Sequence, residues 1–433
     1  MNRYDSYKDT DIPWVGNIPN HWDLSLVGRH FEIGRGRVIS KVEIQDNKGD
    51  YPVYSSQTSN NGELGRINTY DFDGDYVTWT TDGVYTGTCF YRTGKFNTTN
   101  VCGMLSLRRT HYSLPFLSYY LNMVTKPYVR VDINPKLMNN MMSEIPLIIP
   151  PLSEQQQIVS FLDTKTLLID SLIEKTQRKI KLLKEKRTSL INEVVTKGLN
   201  PNVEMKDSGV EWIGEVPSHW EYIPTKYFTI NDKGVQTGPF GTQLNTKDYV
   251  ESGVKVMNQK TLIDEDYDIG EEFISYEKYE SLKVFEVIGG DIIMGTRGSF
   301  GTGKRTTFGK VSIVPSGLGD CVLHPCLIRI RLKENLMMKR YYYIYVNDSS
   351  CFLDDVKDTS NSTTIEVIYG VTLKDIKVPV PPIQEQQQIV EYLDEQTQLI
   401  DKTIFIEEKR IERLKEYRQS LISEVVTGKR KVV

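Results

Sequence analysis

The sequence predicts an α+β protein in which two mixed α/β modules alternate with two long antiparallel coiled-coil helices, as a pseudo-twofold tandem duplication. Residues 145–196 recur without a gap at 376–427, with 28 identities in 52 positions. A tryptophan motif that begins at Trp14 and ends in His21-Trp22 recurs ahead of the second copy. Long internal repeats indicate one structural unit used twice. The predicted domains are a first module (1–149), a first helix (150–199), a second module (200–380) and a second helix (381–433).

Length and composition describe an ordinary soluble chain. Its 433 residues allow two or three domains with their own cores. No run of 18 apolar residues exists and the first residues form no apolar signal segment, so we expect a cytoplasmic protein without a membrane span. The five cysteines form no CxxC pair. Cys321 and Cys326 flank His324 at a spacing that matches no common zinc site, so we expect no metal and buried, reduced thiols.

Charge gives no sign of a protein that binds DNA alone. The net charge is −4 for the whole chain, 0 over residues 1–150 and −6 over residues 200–380. Such proteins usually present a basic face to the phosphate backbone. The chain therefore binds something else, or it binds DNA together with other subunits.

The first helix is predicted from a heptad pattern. It follows the proline pair Pro150-Pro151, which suits the start of a helix, and Ser153 is a candidate N-cap. Apolar residues then recur at spacings of three and four, which is typical of a coiled coil. The two seams are Val159, Thr166, Ile173, Ile180, Arg187, Val194 and Leu162, Ile169, Thr176, Leu183, Leu190.

The second helix follows Pro381-Pro382 and repeats both seams 231 residues later. Its polar seam residues Thr397, Glu407 and Arg418 stand where the first helix has Thr166, Thr176 and Arg187. Matched polar positions indicate that the helices fix each other's register. Because a whole module joins them, an antiparallel pair within one chain follows most simply, about 65 Å long for about 45 residues. A dimerisation stalk remains the alternative.

Both modules read as strands separated by glycine- and asparagine-rich turns. Gly74-Asp75 and the residues after it parallel Gly290-Asp291. A related fold with divergent loops follows. The predicted strands are 51–57, 74–81, 88–92 and 101–109 in the first module, and 254–259, 290–296, 310–315 and 326–332 in the second.

The motifs that suggest catalysis are incomplete. Residues 298–304 fit GxxxxGK, but Arg305 follows where a P-loop needs Ser or Thr for Mg²⁺. The five histidines do not cluster in sequence, and we interpret His21 and His219 as packing residues. Glu407 and Lys409 have the spacing of a nuclease pair, but they lie on the predicted coiled coil. The sequence thus predicts no catalytic site.

The helix repeat, headed by PPxxEQQxIVxxLD, resembles the specificity (S) subunits of type I restriction–modification enzymes. The His-Trp entry to each module and the GPFGTQL turn at 238–244 resemble the same family. The resemblance implies two target-recognition domains that each read half of a bipartite double-stranded DNA sequence. It implies a helical spacer that docks two methyltransferase (M) subunits, with restriction (R) subunits in the full complex. S-adenosylmethionine, ATP and Mg²⁺ are expected on those partners, and no cofactor or catalytic site on this chain.

Candidate DNA-contacting residues are polar side chains in predicted loops and strand ends, because such side chains read base edges and phosphates. In the first module they are Arg35, Arg37, Ser56, Gln57, Thr58, Asn60, Asn61, Thr80, Thr81 and Asp82. In the second they are Gln236, Thr237, Phe240, Thr242, Gln243, Asn258, Gln259, Lys260, Arg297, Lys304 and Arg305. For the M subunits we expect the charged helix faces near 175–186 and 407–416.

Two other functions stay open at this point. One is a structural adaptor whose modules bind protein, with the coiled coil as a dimer stalk. The other is an enzyme, a nuclease or ATPase, whose motifs have diverged. Diverged modules on a shared frame favour recognition, and the incomplete motifs weigh against an enzyme. The mass of the purified chain separates a dimer stalk from an intramolecular helix pair.

Overall fold

The computed structural model describes residues 3–108, 111–131, 134–210, 213–231, 233–268, 272–298, 307–359 and 366–432. The chain divides into two compact units. The first unit comprises Met1–Gln177 with Glu408–Val433, and the second comprises Arg178–Glu407. Each unit therefore holds one module and one part of each long helix. Within the described residues, no helix has the length and apolar character needed to cross a membrane.

The first module contains two four-stranded sheets. One sheet is antiparallel, in the order β4-β11-β8-β9, and the other has the order β6-β5-β10-β7 with β5 and β10 parallel. Its helices are α1 (Val27–His30), α2 (Lys41–Asp46), α3 (Leu114–Val124) and α4 (Asn139–Ser143). Its strands are β1 (Tyr7–Asp9), β2 (Asn17–Pro19), β3 (Asp23–Leu26), β4 (Phe31–Arg35), β5 (Lys48–Tyr54), β6 (Glu63–Ile67), β7 (Phe72–Asp73), β8 (Tyr76–Thr80), β9 (Cys89–Arg92), β10 (Lys95–Thr98), β11 (Cys102–Leu107), β12 (Arg130–Val131), β13 (Pro135–Lys136) and β14 (Pro146–Ile149).

The second module repeats this topology. Its antiparallel sheet has the order β18-β27-β23-β25, and its other sheet has the order β19-β21-β20-β26-β22 with β20 and β26 parallel. Its helices are α6 (Thr225–Phe228), α7 (Gln259–Asp264), α8 (Tyr276–Ser281), α9 (Lys339–Asn347), α10 (Cys351–Thr359) and α11 (Gly370–Asp375), preceded in the chain by the long helix α5 (Leu152–Lys197) and followed by the long helix α12 (Ile383–Val426). Its strands are β15 (Met205–Asp207), β16 (Glu215–Pro217), β17 (Glu221–Pro224), β18 (Val235–Thr237), β19 (Tyr249–Val250), β20 (Val254–Met257), β21 (Phe273–Ile274), β22 (Glu286–Val287), β23 (Ile292–Gly295), β24 (Arg297–Gly298), β25 (Val311–Ile313), β26 (Cys321–Leu323), β27 (Leu327–Ile330), β28 (Glu366–Val367) and β29 (Lys377–Val380).

The predicted related fold is confirmed by these matching strand orders. All eight predicted strands exist, as β5, β8, β9, β11, β20, β23, β25 and β27. β5 is shifted by three residues toward the N-terminus at the predicted length, and the other seven are shorter than predicted. The predicted helices are also present, with 46 residues in α5 and 44 in α12. The N-cap prediction was wrong, since α5 begins at Leu152 and places Ser153 inside its first turn.

The two long helices run antiparallel within each unit. In the first unit the Arg418 guanidinium lies 2.9 Å from the Asp170 carboxylate, and in the second unit Arg187 lies 3.1 Å from Asp401. Asp170 and Asp401 occupy the same repeat position, as do Arg187 and Arg418. Each unit thus makes the same ion pair. Every predicted seam residue of both helices is buried or half-buried, as a coiled coil requires.

One seam position breaks the repeat. In the second unit the buried Glu407 lies 2.6 Å from Lys179. In the first unit the equivalent residue is Thr176, whose hydroxyl donates to the carbonyl of Leu172 in its own helix. The two units therefore share the arrangement of their helices but differ in this contact.

The recurring sequence motifs meet at the start of each long helix. In the first unit Trp22 Nε1 donates to Glu154 at 3.1 Å, and His21 Nε2 lies 2.6 Å from the same carboxylate. In the second unit Trp220 Nε1 donates to Glu385 at 3.0 Å, with His219 at 2.9 Å. Both tryptophans are fully buried. We call these two arrangements the tryptophan–glutamate clusters, and they fix the entry of each module on its helix.

The glutamine that follows the glutamate of each tryptophan–glutamate cluster also links the module to the long helix. Gln155 is fully buried, accepts from the Ser113 backbone N–H at 2.8 Å and donates to the Pro150 carbonyl. Gln386 does the same with Met338 and Pro381. Ser113 and Met338 immediately precede α3 and α9. Each EQQ motif therefore aligns a module helix against the long helix as well.

Candidate nucleic-acid interface

In the first module the candidate residues lie at one end of the sheets. β4 and β8 end where β11 begins, since Arg35 pairs with Gly103 and Thr80 pairs with Cys102. The parallel strands β5 and β10 end at the same edge, where Thr99 Oγ1 donates to Ser55 Oγ at 3.0 Å. The loops that leave these strands form what we call the first tip, residues 35–40, 55–62, 81–88 and 99–101.

The two arginines of the first tip differ in availability. Arg35 is exposed, and its guanidinium lies 3.3 Å from the Met138 sulfur. Arg37 is held by two carboxylates, Glu43 at 2.7 Å and Asp71 at 3.0 Å. A phosphate or base that binds Arg37 has to displace these partners, whereas Arg35 can bind without such a loss.

The loop after β5 presents amide and hydroxyl groups. Ser59–Gly62 form a short 3-10 turn in which Asn60, Asn61 and Gly62 have φ values of 48°, 52° and 80°. Asn and Gly are the residues that adopt this left-handed conformation most readily. Asn60 and Asn61 are exposed, while Ser56 and Thr58 are half-buried. The Gln57 amide donates to the Glu63 carbonyl, so this side chain holds the loop together.

Two of the predicted DNA-contacting residues have buried side chains. Thr80 is 1% exposed and Thr81 is fully buried, so neither hydroxyl reaches a DNA groove in this conformation. The Thr81 hydroxyl instead donates to the Asp82 carboxylate at 2.9 Å. Thr80 is the last residue of the buried strand β8 and Thr81 follows it, and both belong to the interior. Asp82 is half-buried and stays at the tip.

In the second module the candidates also collect at one end. β18 ends and β27 begins at the Thr237–Ile328 pair, and β23 ends at the Gly295–Leu327 pair. The parallel strands β20 and β26 end there too, where the His324 N–H donates to the Met257 carbonyl at 2.8 Å. We call the loops that leave these strands the second tip, residues 238–248, 258–264, 296–298 and 324–326.

Several second-tip side chains hold the backbone in place. The Gln243 side chain accepts from the Phe240 N–H at 3.1 Å, and the Gln236 amide donates to the Thr237 carbonyl. Asn258 caps α7, the helix that begins with Gln259, and donates to Glu272. These roles shape the loops. Thr242 is exposed, Thr237 is half-buried, and Phe240 keeps 51% of its surface exposed.

Two cations of the second tip are free to bind an anion. Lys260 and Arg297 are exposed, and the Gln259 amide donates to the Arg297 carbonyl at 3.2 Å, which joins α7 to β24. Lys304 and Arg305 lie outside the described residues, together with most of the GxxxxGK segment. Arg297 is therefore the strongest base-reading candidate of this module.

A short hairpin of the first module was not predicted from the sequence. Arg130 in β12 and Lys136 in β13 are directly opposite each other, and both are exposed. The hairpin joins the first tip because Lys136 pairs with Asp82 and the Gly83 N–H donates to the Pro135 carbonyl. Polar and apolar residues alternate over the seven residues 130–136, which is too short a stretch to predict a hairpin.

Metal-binding side chains do not cluster in the described ranges. No group of three or more His, Cys, Asp or Glu residues suited to a metal is found there. Burial lowers the pKa of His324, and its Nδ1 accepts from the Cys326 N–H at 3.1 Å, so the imidazole closes a turn. The cysteines of the described chain are unpaired, and four of the five are buried.

Most of the chain matches a known protein family. The family model for the type I restriction modification DNA specificity domain matches residues 19–183 and 223–416. The MpnII specificity subunit of Mycoplasma pneumoniae, a type I restriction enzyme subunit, is 44% identical over 155 residues. That alignment covers 36% of this chain and 47% of the relative, so it spans less than half of that protein.

Two solved structures share the fold at low sequence identity. One, from work on complex assembly and conformational transition of a type I R-M system, has a TM-score of 0.69 at 14% identity and covers 94% of this chain and 98% of its own. The HsdS subunit of Thermoanaerobacter tengcongensis has a TM-score of 0.55 at 14% identity, with coverage of 95% and 98%. At this identity the likeness concerns the fold alone.

Proposed function

Since this chain belongs to the type I restriction–modification DNA specificity family, we propose that its two modules each read one half of a bipartite double-stranded DNA sequence. The observation that carries the proposal is the placement of the candidates. In each module, the described candidate residues lie at one end of two sheets whose strand orders correspond, with one additional strand in the second module. The loops differ between the modules, so the two tips read different bases.

The chemistry of the tips supports contact with DNA. Arg35, Lys260 and Arg297 are exposed cations, and arginine pairs bidentately with guanine in the major groove. Asn60, Asn61 and Thr242 add exposed groups that hydrogen-bond to bases or phosphates. The modest number of cations agrees with a subunit whose partners supply further phosphate contacts. No catalytic role is proposed for this chain.

We infer that two M subunits dock on the long helices and methylate adenine with their own S-adenosylmethionine. R subunits, which bring ATP and Mg²⁺, would complete a cytoplasmic complex. The helices carry exposed apolar side chains that support docking, namely Leu167 and Leu168 in the first unit and Leu182, Leu399 and Ile406 in the second. Exposed apolar residues of this kind mark protein–protein contacts. They are a more specific candidate than the charged faces expected from the sequence, although Leu182 lies within one of those.

The test of the proposed function is methylation of DNA in cells. The chain is co-expressed with its cognate M subunit, and genomic DNA is sequenced for modified adenine. We expect one split motif with a fixed gap. A stable, purified complex that leaves no methylated motif would favour a structural adaptor whose modules bind protein.

The docking proposal predicts the effect of a paired substitution. Leu168 and Leu399 occupy the same repeat position and are 55% and 61% exposed. Changing both to aspartate places charges on an apolar contact, and we expect about tenfold weaker association with the M subunit, equivalent to about 1.4 kcal/mol. Because both side chains are exposed, the fold is expected to stay intact. Association is measured by titration of labelled chain with M subunit.

A matched control comes from the opposite side of the same helix. Gln177 is nine residues after Leu168, which is half a rotation in the helix, and the second copy has Glu408 at its position. Gln177 also lies in one of the charged faces expected from the sequence, so Gln177→Glu tests that alternative. We expect it to leave association unchanged. Equal affinity of the wild-type and doubly substituted chains would exclude this face as the docking surface.

A further inference from the structure

We propose that the loop Ser55–Gly62 of the first tip is a docking site for a DNA phosphate, with the buried cation Arg92 beneath it as the counter-charge. The inference rests on the proposed DNA-reading function and assigns a role to a residue that no sequence motif indicates. Arg92 acts through the loop, so it is a positioning residue for the DNA backbone and not a base-reading one.

The guanidinium of Arg92 is enclosed by aromatic rings. Arg92 is the last residue of β9 and is 3% exposed. Its guanidinium carbon lies 3.6 Å from the centre of the Tyr54 ring and 4.5 Å from that of Phe90. Nε donates to the Thr78 hydroxyl at 3.2 Å, and Nη1 is buried without a hydrogen-bond partner in the described structure.

The loop lies directly over this cation. A Cβ added to Gly62 would stand 3.0 Å from Arg92 Nη2. Gly62 also has a φ of 80°, so both conformation and space demand glycine here. Immediately before it, Ser59, Asn60 and Asn61 are exposed. The loop therefore separates a buried positive charge from solvent by the thickness of one chain segment.

Arg92 forms no ion pair among the described residues, and the charge of Glu63 acts on it only at longer range. Glu63, the acidic residue next to the loop, is 2.8 Å from Arg66, which neutralises it. Burial lowers the pKa of Arg92 to about 10, which leaves the guanidinium protonated at neutral pH. A buried charge without a partner is costly to fold, and aromatic faces offset this only in part. A phosphate on the outside of the loop would supply the missing negative charge.

The second module shows that the fold does not need this cation. Tyr76 pairs with Arg92 in the first module, and Ile292 pairs with Ile313 at the corresponding point of the second. An apolar residue thus fills the position where no phosphate site is inferred. The Arg92 site belongs to the first half of the DNA sequence alone.

The experiment compares Arg92→Met with the wild-type chain, each co-purified with its M subunits. The probe is a fluorescent 40-base-pair duplex of random sequence, titrated over a series of salt concentrations, and the melting temperature is measured in parallel. We expect about tenfold weaker binding and a salt slope smaller by about one phosphate. The melting temperature is expected to stay equal or to rise, because an uncompensated buried charge is removed. Arg92→Lys, which keeps the charge, is expected to retain the salt slope.

Controls separate this inference from the proposed function. Arg108→Met removes an exposed cation just after the end of β11 that points away from the first tip, and it should leave the slope unchanged. Wild-type complex that fails to bind the duplex overturns both proposals. Wild-type binding with an unchanged slope in Arg92→Met overturns the phosphate site only, as does a lower melting temperature with unchanged affinity. Arg92→Gln, which keeps a polar group near Thr78, replaces Arg92→Met with the same readouts where the latter does not fold.

Discussion

Trp22→Ala is expected to lower the free energy of unfolding of the first unit by about 3 to 5 kcal/mol. The indole is fully buried, and its Nε1 donates to Glu154 at the start of the first long helix. The substitution therefore leaves a cavity and also leaves a partly buried carboxylate with one hydrogen bond fewer. The measurement is urea unfolding followed by circular dichroism. The first unit should unfold at lower urea than in the wild type.

Trp220→Ala is the matched variant in the second unit, where Trp220 donates to Glu385. Its effect is expected to appear in the transition of the second unit. Trp22→Phe keeps most of the ring volume but lacks the indole N–H, and a smaller loss is expected. A loss below about 1 kcal/mol for Trp22→Ala would show that the tryptophan–glutamate cluster does not hold the module to its helix.

Arg297→Ala is expected to relax one base-pair position in the second half of the methylated sequence. Arg297 is exposed at the second tip, and an arginine that pairs bidentately with guanine contributes about 1–3 kcal/mol of discrimination. The readout is the split motif obtained by sequencing methylated adenine in cells that express the variant with its M subunit. The first half of the motif should remain as in the wild type.

Arg35→Ala provides the reciprocal control, because Arg35 is the exposed arginine of the first tip without a carboxylate partner among the described residues. It is expected to alter the first half only. An unchanged motif in Arg297→Ala would remove this residue from the reading surface. Changes in both halves from either variant would contradict independent reading by the two modules.

The long helices were predictable because the residues that pack in a coiled coil recur at a regular spacing in the sequence. Ile180, Ile404 and the other seam residues recur at spacings of three and four, so their burial follows from the sequence. The pairing of Asp170 with Arg418 was not predicted, since the aspartate lies beside the seam. The sequence also did not predict that the loops of each module meet at one tip. This depends on the strand order, which is set by contacts between segments that are distant in the sequence.

Other features were not predictable from the sequence, for local reasons. Thr80 and Thr81 have the composition of a loop that binds DNA, but a threonine at the end of a buried strand has the same sequence appearance. Arg92 ends the predicted strand 88–92, and its contacts with the Tyr54 ring and with the loop at Gly62 depend on segments distant in the sequence. Glu154 and its equivalent Glu385 belong to a repeated motif, so the sequence singled them out. The contact of Glu154 with Trp22 remained hidden because about 130 residues separate the two motifs.

The division of the chain into units has a consequence for how the protein is made on the ribosome. The second unit is one uninterrupted stretch, Arg178–Glu407, whereas the first unit needs Glu408–Val433. Leu421, Val425 and Val426 belong to the core of the first unit and follow the whole second unit in the chain. The ribosome therefore makes all of the second unit before it makes these core residues of the first. Until then the core of the nascent first module stays open on one side, a stage at which a chaperone can bind.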